Sequence, residues 1–255
     1  MPIIDLSIPI ENGVPSDPPA LLPHIEYFDH QGCIPEFLEN FPGLTAADLP
    51  NGESWSHERI TLSTHSGTHM DAPWHFASTM DGGAPARTID QLPLEWCLKP
   101  GVKLDFRDKP DGYVVTPKDV DDELARSGAV IESLTIVLVN TAAGVRYGQA
   151  DYRDTGCGMG RAATLHLLSM GAKIVGTDAW SWDAPFSFTA QVFARDGDPS
   201  IIWEGHKAGL EKEYYQMEKL HNLEALPASG FTVACFPVKI RGASAGWCRA
   251  VAITA

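Results

Sequence analysis

The chain is poor in positive charge: 19 Lys and Arg stand against 33 Asp and Glu in 255 residues, a formal net charge of -14. A surface with that balance repels phosphate backbones and anionic membrane faces, so nucleic acid is not an expected partner. The acidic residues are spread along the chain rather than gathered in a tail, and they read as an ordinary solvated surface. Cys-x-x-Cys pairs are missing too. The five cysteines, at 33, 97, 157, 235 and 248, are scattered and odd in number, which argues against a sulfur-bound structural metal or a redox dithiol and suits buried thiols in a reducing compartment. No apolar run reaches the about 18 residues of a membrane helix. The opening segment, Met1 to Ile10, has no basic stretch and is broken by Asp5 and Pro9, so no signal peptide is expected and the cytoplasm is the expected location. G-x-G-x-x-G is absent as well: Gly156, Gly158 and Gly160 are followed by Arg161, and nucleotide binding is not expected.

What is present reads as α/β. Ile3 to Ile10 suits a first strand, with a turn at Glu11-Asn12-Gly13. Residues 14–54 are rich in Pro, Gly and Asp with little periodicity, as a lid or subunit-contact region would be; Phe28, Phe37 and Phe41 within it suit substrate walls or subunit contacts. Glu58 to Thr64 reads as a strand with Ile60 and Leu62 toward the core, and Thr88 to Trp96 as a short helix. A strand is expected at Val102 to Phe106. Thr116 is placed to cap a helix with Pro117 in its first turn and Gly128 near its end. Leu134 to Thr141 is the clearest buried strand. A helix over Ala162 to Ser169 and a strand over Lys173 to Thr177 follow, a strand-helix-strand order that predicts a parallel crossover. Phe231 to Val238 and Cys248 to Ile253 read as closing strands, joined by the Gly-rich Arg241 to Gly246 loop. With no internal repeat and no linker, residues 1–255 are expected to form a single domain.

The chemistry concentrates in His65-Ser-Gly-Thr-His69-Met-Asp71-Ala-Pro73-Trp-His75-Phe76. Gly67, Thr68 and Pro73 disfavour a helix, and no Glu follows His65 as in helical zinc motifs. In an extended segment His65, His69, Asp71 and His75 share one face, delivered directly by the preceding strand. Imidazole nitrogen and carboxylate oxygen on one face are a donor set for zinc, manganese or iron. Further donors are sought at His206 and in Tyr215 to His221, where an extended backbone would place Gln216 and Glu218 together and a helix would separate them.

These residues resemble the H-x-G-T-H-x-D-x-P-x-H-F signature of the metal-dependent cyclase-like hydrolases, the family of bacterial kynurenine formamidase and isatin hydrolase. The resemblance extends to Gly176-Thr-Asp178-Ala-Trp180-Ser-Trp182-Asp183-Ala-Pro185, to Glu204-Gly-His206 and to Gln216-Met-Glu218-Lys-Leu-His-Asn-Leu. It implies a compact α/β domain of the swivelling β/β/α type, with a mixed sheet and flanking helices, assembled as a homodimer or homotetramer. It also implies metal ligands at His65, His69 and Asp71, an acid/base role for His75, and a further metal-binding pair at His206 and Glu218. Gln216 is the ligand expected in isatin-hydrolase-like members, the branch that the Trp-rich 178–185 segment favours.

The expected chemistry is hydrolysis of an amide. A divalent ion polarises a carbonyl and activates water, and a neighbouring imidazole passes a proton to the leaving nitrogen. No Ser or Cys nucleophile is read in a G-x-S-x-G elbow, so attack by metal-bound hydroxide is preferred over an acyl-enzyme. Trp55, Trp74, Trp180 and Trp182, with Phe41, suit stacking on a flat substrate. The expected substrate is a small cyclic amide such as isatin, with Mn²⁺ or Zn²⁺, one or two ions per subunit, as cofactor; hard oxygen donors lean toward Mn²⁺. An arylformamidase acting on N-formylkynurenine, or a cyclic imide or lactam hydrolase, is the alternative within the class. A non-catalytic metal-dependent binding protein and an iron facial-triad redox enzyme are the alternatives outside it.

Overall fold

The computed structural model describes residues 1–254. Among them, strands β1 (Ile3–Asp5), β2 (His24–Phe28), β3 (His57–Thr61), β4 (His69–Asp71), β5 (Leu98–Asp105), β6 (Ile136–Asn140), β7 (Ile174–Thr177), β8 (Tyr215–Glu218), β9 (Phe231–Ala234), β10 (Ala245–Trp247) and β11 (Val251–Thr254) are the ones that matter to the site. Nine of them form one mixed sheet in the order β1-β11-β9-β5-β6-β7-β8-β4-β10. Its centre, β5 to β8, is parallel, and the strands on both sides of it pair antiparallel. The expected α/β class with a mixed sheet and flanking helices is what the structure shows.

The three parallel steps are made by helical crossovers. Helix α3 (Pro117–Ser127) links β5 to β6, and α4 (Arg161–Ser169) links β6 to β7. Helices α5 (Phe186–Asp196) and α6 (Glu204–Lys207) lie between β7 and β8; α1 (Ile34–Leu38) and α2 (Pro73–Phe76) are short pieces earlier in the chain. β6 is buried on both sides, which is why its sequence is a continuous apolar run. Ile136 and Leu138 pack with Leu6, Met70, Tyr215 and Met217 on one face. Val137 and Val139 pack with Val120 of α3, Leu167 of α4 and Trp182 on the other. Among the described residues no helix is long and apolar enough to cross a membrane.

Several expectations need correction. The strand expected at Glu58 to Thr64 is β3, but it pairs only with β2 in a separate hairpin, so it does not run into the metal-type face. Ile60 is half exposed rather than core-facing, because the alternation of a two-stranded ribbon is satisfied at the surface. The extended run expected over 65–76 is broken twice. Gly67 turns the chain at φ +66°, a conformation open to glycine without strain, and Pro73 starts α2 at its first position, where its missing N–H costs nothing. Residues 14–54 are less irregular than their composition suggests and carry β2 and α1. The helix expected at Thr88 to Trp96 is two 3₁₀ turns, Ile89–Gln91 and Leu94–Trp96, interrupted by Pro93. The Arg241 to Gly246 loop runs into a further strand, β10, at the sheet edge.

α3 is the helix whose ends the sequence specified best. Thr116 Oγ1 accepts from Asp119 N, the Asp119 carboxylate accepts from Thr116 N, and Gly128 closes the helix in the left-handed region. Lys109 Nζ and Tyr113 Oη also donate to Asp119. Partial burial opposes ionisation, but these donors hold the Asp119 carboxyl well below the usual carboxylate range. The folded state therefore releases this proton at lower pH than the unfolded chain. Its contribution is complete above the ordinary carboxylate pKa and is lost as pH falls toward the folded value. Asp119→Asn and Thr116→Ala should each cost about 1 kcal/mol at pH 7. Denaturant unfolding of Asp119→Asn repeated at decreasing pH should show its deficit shrinking below about pH 4.

Candidate metal centre

The site is built by the register of β4 against β8. Asp71 lies opposite Gln216, and His69 opposite Glu218. Alternation sends Met70 and Met217 into one core and turns His69, Asp71, Gln216 and Glu218 to the other face of the sheet. All four are buried. The loop before β4 adds His65 and the helix after it adds His75. His65 and His75 rings stack tilted with centroids 4.0 Å apart, and His69 meets His65 edge-on at 5.1 Å.

Two ligand-type groups result, each with donor atoms within 4.8 Å of one another: His65, Asp71 and His75, and His69, Asp71 and Glu218. Asp71 belongs to both. Its Oδ1 lies 2.8 Å from His65 Nδ1 and 3.3 Å from His69 Nε2. The contacts are short but not aligned as hydrogen bonds, and both His69 Nε2 and Asp71 Oδ1 are left buried without a hydrogen-bond partner. A buried orphan imidazole nitrogen beside a buried orphan carboxylate oxygen is costly alone and is satisfied by a divalent cation. The donor set therefore fits a metal. The outer atoms are fixed in the manner of metal-ligating histidines: His69 Nδ1 faces Gly67 O at 2.9 Å, and His65 Nε2 faces Ser244 Oγ at 3.1 Å.

His206 and Gln216 complete the cluster differently from expectation. The Asp183 carboxylate accepts from Gly205 N, from His206 N and, at 2.5 Å, from His206 Nδ1. His206 Nε2 then faces Glu218 Oε1 at 3.4 Å and Gln216 Nε2 at 2.7 Å. Burial opposes the imidazolium, whereas Asp183 and Glu218 favour it and push His206 up to about 9. A ring that ligates a metal through Nε2 does so in its neutral form, so an ion bound there would displace that proton. Gln216 enters with its nitrogen rather than its oxygen. Tyr214 Oη donates to its Oε1 at 2.9 Å, and the two hydrogens on its Nε2 are shared among His206 Nε2 at 2.7 Å, Glu218 Oε1 at 2.9 Å and Asp71 Oδ2 at 3.3 Å. As placed, it relieves the repulsion of two buried carboxylates instead of offering an oxygen donor.

Electrostatics separate the roles further. Complete burial pushes the Asp71 carboxyl up, yet His69, His75 and His65 around it hold it well below the usual range. Burial, against the pull of Asp71 and with His65 and His206 nearby, lowers His75 to about 4. His75 is thus neutral at neutral pH, and among the described residues no protein hydrogen bond holds its ring.

His75 faces a cavity of about 360 Å³ lined by Asp17, Leu21, His65, Trp180, Phe186, Trp203, Glu218 and Lys219, among others. Of the expected stacking residues only Trp180 lines it. Trp182 is fully buried with Nε1 donating to Thr164 Oγ1; its backbone N–H donates to Glu218 Oε1 at 2.9 Å. Trp74 is 47% exposed, turned away by the helical backbone of α2. Phe41 is 49% exposed and packs on Phe37, which in turn meets Trp55. Missed from the sequence were Asp17, Lys219 and Trp203. Nothing local marks Asp17, which arrives from about fifty residues upstream of the motif. Missed too was Gly242-Ala-Ser244-Ala-Gly246, which spells G-x-S-x-G. It leads into edge strand β10 rather than from a strand into a helix, so it is not a nucleophile elbow.

A larger cleft of about 550 Å³ has Asp105, Asp119 and Glu123 paired with Arg107, Lys109 and Arg126 and, among the described residues, no orphan ligand atoms.

The fold and this cluster define a mixed α/β protein with a buried histidine–carboxylate centre under an aromatic-walled cavity. The Cyclase family model, described as "Putative cyclase", matches residues 4–184. A kynurenine formamidase of Maricaulis maris (strain MCS10) is 31% identical over 193 residues, covering 76% of this chain and 78% of that protein. The chain belongs to the cyclase family and is an enzyme of the hydrolase class. Among solved structures, an isatin hydrolase bound to the product analogue thioisatinate superimposes with a TM-score of 0.75 at 19% identity, covering 99% of this chain and 92% of that one. Isatin hydrolase A from Ralstonia solanacearum gives 0.75 at 21% identity, covering 100% and 92%.

Asp178 follows the end of β7, two residues before Trp180 of the cavity wall. Its buried carboxyl accepts from Asn140 Nδ2, Thr141 N and Thr141 Oγ1, tying the ends of β6 and β7 together. In Asp178→Asn one carboxylate oxygen becomes an NH₂, so a donor among Thr141 N, Thr141 Oγ1 and Asn140 Nδ2 loses its acceptor or has to turn. Urea unfolding should show a loss of about 1–3 kcal/mol, and an unchanged midpoint would contradict the tie.

Proposed function

We propose that this chain is a metal-dependent amidohydrolase that opens a small cyclic amide such as isatin, using Mn²⁺ or Zn²⁺. The observation that carries the reading is the pair of orphaned buried atoms on His69 and Asp71, set next to a neutral, uncommitted His75 at the cavity wall. His65, His69 and Asp71 would hold the ion, with Glu218 and His206 completing the set. A divalent ion bound there supplies polarisation of the scissile carbonyl and activation of water.

The protein's own residues supply the remainder. His75, desolvated and free of competing protein donors, takes a proton from the attacking water and returns it to the leaving nitrogen. Trp180, Phe186 and Trp203 around the cavity favour a flat ring and exclude water from the reacting atoms. Gln216 and Tyr214 hold Asp71 and Glu218 in place. The N-formylkynurenine reading within the class is supported by the formamidase relative.

A second route has one observation behind it. Ser244 Oγ, His65 and Asp71 lie in a line of short contacts, 3.1 Å and 2.8 Å, as in a serine-histidine-aspartate relay. Ser244→Ala separates the two: the relay predicts a fall of about 10⁴-fold or more, the metal route only a few-fold change.

Metal-replete protein assayed by absorbance should turn over isatin, N-formylkynurenine or a cyclic imide; turnover of none of them would refute the reading. His75→Ala should keep the metal, by elemental analysis, and lose roughly 10²- to 10⁴-fold in kcat. His69→Ala and Asp71→Ala should lose the metal itself.

A further inference from the structure

Lys219 and Asp17 form a buried ion pair in the cavity wall, and neither belongs to the metal-type cluster. Residue 219 immediately follows β8 and has φ +57°, a left-handed conformation that glycine or asparagine adopts more comfortably. Its backbone is pinned there: Lys219 N donates to Ala179 O at 3.0 Å, and Thr68 Oγ1 donates to Lys219 O at 2.6 Å. A buried lysine on a strained backbone carries two costs at once. Both are met by interactions that aim its ammonium at the cavity.

An ammonium has three N–H donors. One goes to Asp17 Oδ1 and one to His65 O at 2.8 Å; the third has no protein acceptor among the described residues. The ammonium also lies 5.7 Å from the centroid of the Trp180 ring. Asp17 in turn accepts from Trp180 Nε1 at 2.9 Å and from Ser16 Oγ at 3.3 Å, and Ser66 Oγ donates to Leu21 O at 2.9 Å. The segment around residue 17 is thereby fastened over the site, and its carboxylate fixes both Lys219 and the indole. Because Asp17 neutralises the lysine, what the pair presents to the cavity is a directed N–H rather than a net charge.

We propose that Lys219 is a substrate-binding residue that donates to a second oxygen of the substrate, a keto or carboxylate oxygen beside the scissile amide, and that Asp17 is its positioning residue. The inference rests on the hydrolase reading and deepens it. It selects flat amides that carry an adjacent acceptor oxygen over plain lactams of the same size.

The test is a binding measurement, independent of turnover. Full-length, metal-loaded protein is titrated with phenylglyoxylate and with phenylacetate, which lacks the keto oxygen. Wild type should prefer the keto acid. In Asp17→Asn/Lys219→Met, which removes both charges and strands neither, that preference should shrink about tenfold, the worth of one charge-assisted hydrogen bond. Asp17→Asn/Lys219→Asn is the companion variant, since asparagine tolerates the left-handed backbone; thermal melts confirm that each is folded. Asp17→Asn alone keeps the donor and the acceptor for Trp180, and should keep the preference while tightening both acids alike, because the lysine's charge is no longer offset. A preference that survives in the double variants belongs to chelation at the metal and overturns the proposal, as does a wild type that binds both acids equally. An unchanged ratio in a protein that still hydrolyses isatin defeats this inference alone; absent turnover with a Lys219-dependent ratio defeats the hydrolase reading alone.

Discussion

The antiparallel pairing of β4 with β8 is the constraint on which the site depends. A register that sets Asp71 against Gln216 and His69 against Glu218 puts two carboxylates, an imidazole and an amide side by side on a buried face. Slipped by one residue, either strand would turn its polar side chains into the apolar core and its methionines into the site. Strand alternation makes this arrangement possible, and the core cluster around Met70 and Met217 enforces it.

Holding so much polarity out of water is expensive, and the surrounding structure is organised to offset that expense. Asp183 orients His206, Tyr214 orients Gln216, Gly67 O orients His69 and Trp182 N contributes a donor to Glu218. Within the cluster two buried side-chain atoms are left without a hydrogen-bond partner, His69 Nε2 and Asp71 Oδ1, and they face one another 3.3 Å apart. Satisfied networks of this kind rigidify a site, and a gap in one marks a ligand position. The same economy appears at the rim, where Asp17, Lys219 and Trp180 satisfy one another and bind the N-terminal segment to the sheet.

Much of the fold was legible from local pattern. The continuous apolar run of β6, the Thr116-Pro117 start and Gly128 stop of α3, and the strand-helix-strand order through α4 and β7 all follow from rules that operate within a few residues. The site was legible where its members are sequence neighbours: His65, His69, Asp71 and His75 do converge. They converge for a different reason from simple alternation, since only His69 and Asp71 are on a strand while His65 precedes a glycine turn and His75 rides on a proline-started helix. The aromatic walls were less legible. Trp74, Trp182 and Phe41 have the composition of a stacking surface, yet the backbone directs them to the surface or the core, and Trp203 and Phe186 take their place.

The sequence by itself brought the candidate donors close, because His65, His69 and Asp71 lie within a few residues of one another on either side of Gly67. It also determined that Gln216 and Glu218 would share a face once their segment was extended. Only the tertiary structure decided which atoms those residues present, since the Tyr214 hydroxyl claims the Gln216 oxygen and leaves its nitrogen to the carboxylates. Only the tertiary structure brought in Asp17 and Lys219, about two hundred residues apart in the chain. Such pairs carry no local signal, because their partnership is made by the folding of one segment over another.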